Sequence, residues 1–162
     1  MRVVFSVGSN LGDRLGHLQT AVDVLLSHGA EPTLSPVYET TPVGGPPQRD
    51  YLNAVIVADL PVGTDLLGLV TAAERAAGRE RGPRWGPRTL DLDVISVDDV
   101  VSRNPALTLP HPRAQHRAFV LAPWRDVDPA AKLPGVGSVA ELLHRLGCDG
   151  ITRRDDLALA AH

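Results

Sequence analysis

The sequence predicts an α+β fold in which an antiparallel sheet carries helices. Three observations predict it. Apolar residues recur with a period of two in some stretches and near 3.6 in others. The two periods alternate along the chain as strand, helix, strand, strand, helix, strand. The 162 residues are 43% hydrophobic and 22% charged, enough for one self-sufficient core and typical of a globular domain. No internal repeat or low-complexity block interrupts the pattern, and residues 1–162 read as a single domain.

Each element follows from a local signal. Val3 to Val7 is a β-branched and aromatic run that stops at Gly8, a short buried strand. A helix follows with Asp13 as its N-cap, Leu15, Leu18, Val22, Leu25 and Leu26 on one face, and Gly29 at its end. Thr33 to Thr40 is a strand that Pro36 marks as an edge or a bulge. Pro42, Gly44, Gly45, Pro46 and Pro47 make Thr41 to Asp50 a loop. Tyr51 to Leu60 alternates as a strand, with Tyr51, Asn53, Val55 and Val57 on one face and Leu52, Ala54, Ile56 and Ala58 on the other. Thr64 to Ala77 is a second helix, capped by Thr64 and closed by Gly78.

Beyond it, Arg79 to Pro87 is a loop rich in arginine, glycine and proline, and Leu90 to Val97 returns to strand alternation. Val100 to Thr108 suggests a hairpin strand and Ala114 to Ala122 a short helix. Ser138 with Glu141 is a capping box before an apolar run through Leu146. This order is that of the ferredoxin-like, split βαβ sandwich with a small C-terminal appendage, although a doubly wound sheet yields similar strings. Residues 151–162 read as a tail.

Charge narrows the function. The net charge of -3 argues against nucleic acid and membrane surfaces as partners, because both are polyanions. Of the 16 basic residues only Lys132 is a lysine, and it follows Ala131, so no Walker A loop is present. Cys148 stands alone, which excludes an internal disulfide and a multi-thiolate zinc site and suits the reducing cytoplasm. The apolar run at the N-terminus is too short for a signal peptide, and no window approaches the ~18 apolar residues of a membrane span.

Three constellations could carry chemistry. In the run from Arg84 to Ile95, Asp91 and Asp93 sit two apart on a strand, so their carboxylates share a face and can hold hard cations. An isolated pair of this kind is as often a solvated strand face. Here, however, Arg79, Arg81, Arg84 and Arg88 lie immediately upstream on a loop hinged by Gly82-Pro83 and Gly86-Pro87. Arginines facing a carboxylate-bound metal suit polyphosphate chemistry, in which positioning and charge neutralisation supply most of the catalysis. Tyr51 and Asn53 share a strand face beside the Gly/Pro loop, an aromatic ring next to an amide that could stack on and read a flat heterocycle. Phe119 is a candidate opposite wall. The third is the loop Pro110-His111-Pro112-Arg113, with His116 and Arg117 beyond. Gly8-Ser9-Asn10-Leu11-Gly12 lacks dinucleotide-binding spacing and reads as a tight turn. A nucleotidyl transferase and a non-catalytic RNA-binding module are the alternatives on the same fold.

These residues resemble the 6-hydroxymethyl-7,8-dihydropterin pyrophosphokinase family of folate biosynthesis. The resemblance is carried by the whole run Arg84 to Ile95. Gly8 to Gly12, Tyr38 to Pro42, Asp50 to Ala54, Glu74 to Arg79 and Pro110 to Phe119 fall in the family's order. It covers roughly residues 1–147. It implies a ferredoxin-like enzyme that moves the β,γ-diphosphoryl group of ATP to the pterin hydroxymethyl oxygen and releases AMP. Asp91 and Asp93 would hold two Mg²⁺ ions. Tyr51 and Phe119 would sandwich the reduced pterin, bordered by Trp85, while Asn53 and backbone groups of Thr40, Thr41, Pro42 and Val43 bond its edge. Arg79 and Arg88 would act catalytically on the triphosphate. Glu74, Arg81, Arg84, Trp85, Arg88, Val94, His111 and Arg117 would line the ATP side. A monomer with no nucleic-acid or membrane partner is expected.

Overall fold

The computed structural model of the chain describes residues 1–42, 45–78 and 89–161. Its principal layer is a six-stranded antiparallel sheet. The strands are β1 (Arg2–Ser9), β2 (Glu31–Leu34), β3 (Tyr38–Thr40), β4 (Tyr51–Asp59), β5 (Asp91–Val97) and, after the small β6–β7 ribbon (Lys132–Leu133, Gly137–Ser138), β8 (Ile151–Arg153). The order across the sheet is β5-β1-β4-β3-β8, with β2 also pairing β4. Helices α1 (Arg14–Ser27), α2 (Leu66–Ala76), α3 (Ala118–Val127) and α4 (Val139–Leu146) complete an α+β architecture.

The alternation along β4 explains the two layers. Leu52, Ala54, Ile56 and Ala58 join Val3, Phe5 and Val7 of β1 in one core, beneath Leu18, Val22 and Leu25 of α1 and Leu69 and Ala73 of α2. Val55 and Val57 face the opposite core, built with Val120, Leu121 and Trp124 of α3 and Val139 and Leu143 of α4. A strand buried on both faces needs apolar residues at both parities, which is what β4 carries.

Asp13 caps α1, its carboxylate accepting from the Gly16 N–H at 3.1 Å. Ser138 caps α4 through the Glu141 N–H as the capping box predicts. The cap of α2 differs from expectation: Asp65, not Thr64, accepts from the Gly68 N–H at 3.0 Å, and the Thr64 hydroxyl bonds Pro61 O instead. A carboxylate also suits the positive end of the helix better than a hydroxyl. Asp65→Ala is therefore expected to destabilise the fold by about 1 kcal/mol, and Thr64→Ala by less, as measured by urea unfolding.

Other elements also depart from the sequence reading. The strand expected over 33–40 is broken at Ser35-Pro36-Val37. Ser35 spans the break, its hydroxyl accepting from the Val55 N–H at 2.8 Å. The hairpin expected over 100–108 is reduced to one bridge, Ser102 to Leu109. The helix expected over 114–122 is a single 3-10 turn, Ala114–His116, followed by α3 running on to Val127 through Pro123. Residues 151–153, read as the start of a tail, form β8 beside β3. Ala160 then exchanges two hydrogen bonds with the Gln19 side chain, and Leu157 and Leu159 pack on the first core.

One irregularity sets the site. Between β1 and β5 the register runs Val4 to Ser96 and then Phe5 to Val94, so Ile95 is an extra residue on β5. Strict alternation would put Val97 on the same face as Asp91 and Asp93. The bulge instead sends Val97 into the first core beside Val94, while Ile95 stays in the second.

Candidate active site

Asp91 and Asp93 occupy the N-terminal half of β5, opposite Gly8 and Ser6 of β1. Gly8 in turn opposes Asn53 of β4, and Asn53 opposes Tyr38 of β3. One cross-strand row therefore joins Asp91 to Asn53 with a glycine between them, while Asp93 lies on the same face in the neighbouring row with Ser6 and Val55. Tyr51 opposes Thr40 in the next row out.

Gly8 is not part of the tight turn that its motif suggests. It lies within β1, and a Cβ placed there would come within 2.7 Å of Asn53 Nδ2. The missing side chain is the space that the Asn53 amide occupies. A glycine ending an otherwise β-branched run was the available signal for such an approach. Asn53 is buried, yet its Oδ1 has no hydrogen-bond partner among the described residues, and the same holds for the buried hydroxyl of Thr40. A buried acceptor or hydroxyl left unpaired costs about 1–3 kcal/mol, so such atoms are expected where a ligand supplies the partner.

The cationic side is built from the segment before α3. The His111 N–H donates to Ile95 O at 2.8 Å, placing the segment against β5, and the preceding Leu109–Pro110 peptide bond is cis. His111 Nδ1 accepts from the Arg113 N–H at 3.2 Å, which leaves Nε2 to carry the proton of the neutral ring. Burial pushes the His111 pKa down, with the arginines 117 and 113 adding to that and Asp93 opposing it. Arg117 Nη1 lies 3.8 Å from Asp93 Oδ2, and its guanidinium sits 5.5 Å from the centre of the Phe119 ring. Burial and Arg113 lower the Arg117 pKa, and both aspartates pull it back up. At 3.8 Å, with Asp93 42% exposed, the ion pair is loose and contributes little stability, so both groups can be shared with a charged ligand.

Glu74 reaches from α2 to the Leu92 N–H at 3.4 Å, on the outer edge of β5. Tyr38 fixes α3 to the sheet by donating to the Asp126 carboxylate. Burial and that carboxylate push its pKa up to about 12, so the phenol stays a donor. The Thr41 N–H donates to Gly150 O at 3.0 Å, and Pro42 follows it into the loop.

Val94 is not brought alongside the acidic pair: its side chain is buried in the first core, on the opposite face. Val43, Arg79, Arg81, Arg84, Trp85 and Arg88 lie outside the described residues.

The donor set suits a hard divalent cation. Among the described residues no third acidic, histidine or cysteine side chain completes a cage around Asp91 and Asp93. Mg²⁺ is commonly held this way, by one or two carboxylates with the remaining positions filled by water and substrate phosphates.

Comparison with known proteins decides the family. The model of 7,8-dihydro-6-hydroxymethylpterin-pyrophosphokinase (HPPK) matches residues 4–129. The chain belongs to the HPPK family. An HPPK relative from Mycobacterium tuberculosis, named 2-amino-4-hydroxy-6-hydroxymethyldihydropteridine pyrophosphokinase, is 49% identical over 147 residues, covering 84% of this chain and 77% of its own. A relative of the same name from Pseudomonas aeruginosa is 37% identical over 155 residues, covering 94% of this chain and 96% of its own. Among solved structures, wild-type Plasmodium falciparum HPPK-DHPS with STZ-DHP superposes with a TM-score of 0.73 at 13% identity. That match covers 94% of this chain and 46% of the longer one, and it supports the HPPK fold alone.

Proposed function

We propose that the protein transfers the β,γ-diphosphoryl group of ATP to the hydroxymethyl oxygen of 6-hydroxymethyl-7,8-dihydropterin, forming its diphosphate ester and AMP in folate biosynthesis. Membership of the HPPK family supports the reaction. The observation that carries it is the cross-strand row Asp91, Gly8 and Asn53. It sets a phosphate-and-metal side next to a buried amide oxygen in want of a donor.

The pterin lies on the Asn53 side of this row. Asn53 Oδ1 accepts from its ring N–H and amino groups, the Thr40 hydroxyl and the backbone of Thr41 to Val43 bond its edge, and Tyr51 and Phe119 enclose its faces, with Trp85 at the border. The triphosphate lies toward His111 and Arg117, with Glu74, Arg81, Arg84 and the backbone of Val94 on the nucleotide side. Asp91 and Asp93 would hold magnesium, two ions in this reading, which would supply neutralisation of the phosphate charge. The protein's own task is positioning: the pterin hydroxyl is aligned with the β-phosphorus, its oxygen forms the new bond and gives up its proton to solvent, and the bridge to the α-phosphate breaks, releasing AMP. Arg79, Arg88 and Arg117 steady the negative charge that moves onto AMP.

The strand order and the two crossing helices α1 and α2 support the ferredoxin-like assignment, with residues 1–162 as one domain. The lone Cys148 supports a reducing cytoplasm, and among the described residues no helix is long and apolar enough to cross a membrane. A monomer acting without nucleic acid completes the proposal.

Incubating the protein with ATP, Mg²⁺ and the hydroxymethyl pterin, then resolving the nucleotide products, tests it. AMP in step with pterin diphosphate is expected. ADP would mean ordinary phosphoryl transfer and pyrophosphate a nucleotidyl transferase, and either would overturn the assignment.

A further inference from the structure

The loop that borders the pterin side leaves β3 at Thr40 and enters β4 at Tyr51, two residues that pair across the strands. Glu39 precedes Thr40 on β3 and Asp50 is the last loop residue before Tyr51, and one atom touches both. Arg14 Nη1, at the first position of α1, donates to Glu39 Oε2 at 2.6 Å and to Asp50 O at 3.0 Å. Each terminal guanidinium nitrogen carries two N–H groups, so both bonds form together.

We infer that Arg14 is a positioning residue that acts through Glu39, with Arg154 as its counterpart, to hold the base of the 40–50 loop and thereby set the pterin side of the site. The inference rests on the pterin reading above and adds to it residues that touch neither substrate.

Three features argue for a built device rather than a chance surface pair. The Arg14 and Glu39 side chains are 18% and 26% exposed, so the pair is largely shielded from solvent. The second Glu39 oxygen accepts from Arg154 Nη1 at 3.1 Å, and Arg154 is itself held by Asp156 through Nε at 2.8 Å and Nη2 at 2.7 Å. The Arg14 hydrogen bond leads the effects that keep the Glu39 carboxyl below the usual carboxylate range. Direction matters as well. Glu39 alternates with Thr40 along β3 and so points to the α1 side of the sheet, while Thr40 and Tyr51 point to the other. The clamp grips the strand from behind and leaves the substrate face clear. The C-terminal segment joins the same device, because the Arg154 N–H donates to Val37 O at 2.8 Å and Gly150 O accepts from the Thr41 N–H at 3.0 Å.

Steady-state kinetics with each substrate varied separately test the inference on wild type, Arg14→Ala, Arg14→Lys and Glu39→Gln. In Arg14→Ala and Glu39→Gln the KM for the pterin should rise about tenfold, the scale of one lost charge-assisted hydrogen bond. The KM for ATP should stay within about twofold, a split that general loss of structure would not produce. Arg14→Lys, which keeps the charge, should recover much of the loss. If both KM values move together, or neither moves, the inference fails. Should Arg14→Ala not fold, the nearly isosteric Glu39→Gln decides by the same criterion. A wild-type protein that does not consume the pterin overturns the pterin reading together with the inference, whereas an active wild type with unchanged variants overturns the inference alone.

Discussion

Replacing Asp93 with asparagine is expected to lower kcat by about 10³-fold or more with the fold intact, the scale seen when one preorganised electrostatic contact to the reacting groups is removed. The substitution keeps shape and strand geometry and removes only charge. Asp93 is 42% exposed and its ion pair with Arg117 is long, so little stability is at stake. Its charge nevertheless lies on the same strand face as Asp91, opposite Ser6, where a cation would have to sit to reach the triphosphate. A melting temperature within a few degrees of wild type, combined with lost turnover, is the expected pair of measurements. A kcat within tenfold of wild type at saturating Mg²⁺ would remove Asp93 from the metal site.

Gly8→Ala should have the next largest effect, in the middle of the row that links Asp91 to Asn53. The added methyl would meet Asn53 Nδ2 at 2.7 Å and Tyr51 Cδ1 at 3.5 Å, so the short, buried amide must swing away from its place. Misplacing a substrate-orienting group by about 1 Å can cost about 10²-fold, and a loss of that order in kcat/KM for the pterin is expected, with the KM for ATP nearly unchanged. A double-mutant cycle separates this route from general strain. If Gly8 acts through Asn53, then Gly8→Ala added to Asn53→Ala costs little further activity, because the residue to be displaced is already gone. Full additivity of the two losses would show that Gly8 matters for some other reason.

What was legible in the sequence follows from how local the cause was. Periodicity alone sorts the residues of β4 onto its two faces, and helix chemistry marks Asp13 and Ser138 as caps, because those signals lie within a few residues of their effect; that both faces are buried appears only in the fold. The acidic pair was legible for the same reason: two residues of spacing on a strand decide a shared face. Thr64 and Asp65 are both good caps, and only the observed helix start selects the second. Long-range causes were hidden. The extra residue at Ile95 exists only relative to β1, the space over Gly8 only relative to β4, and β8 only relative to β3. The family resemblance puts Val94 on the ATP side, whereas the parity of β5 turns its side chain into the core. The clamp at Arg14 needs three segments distant in sequence, so nothing near Arg14 announces it.

The bulge in β5 gives that strand two separable jobs. Up to Val94 it answers to the chemistry, keeping both carboxylates level with Gly8 and Ser6. After the extra residue it answers to the two cores, with Ile95 in one and Val97 in the other. The joint between the halves means that substitutions repacking the far end need not rotate the aspartates. Evolution can therefore tune the interior of the protein and its reacting groups as independent variables on a single seven-residue strand.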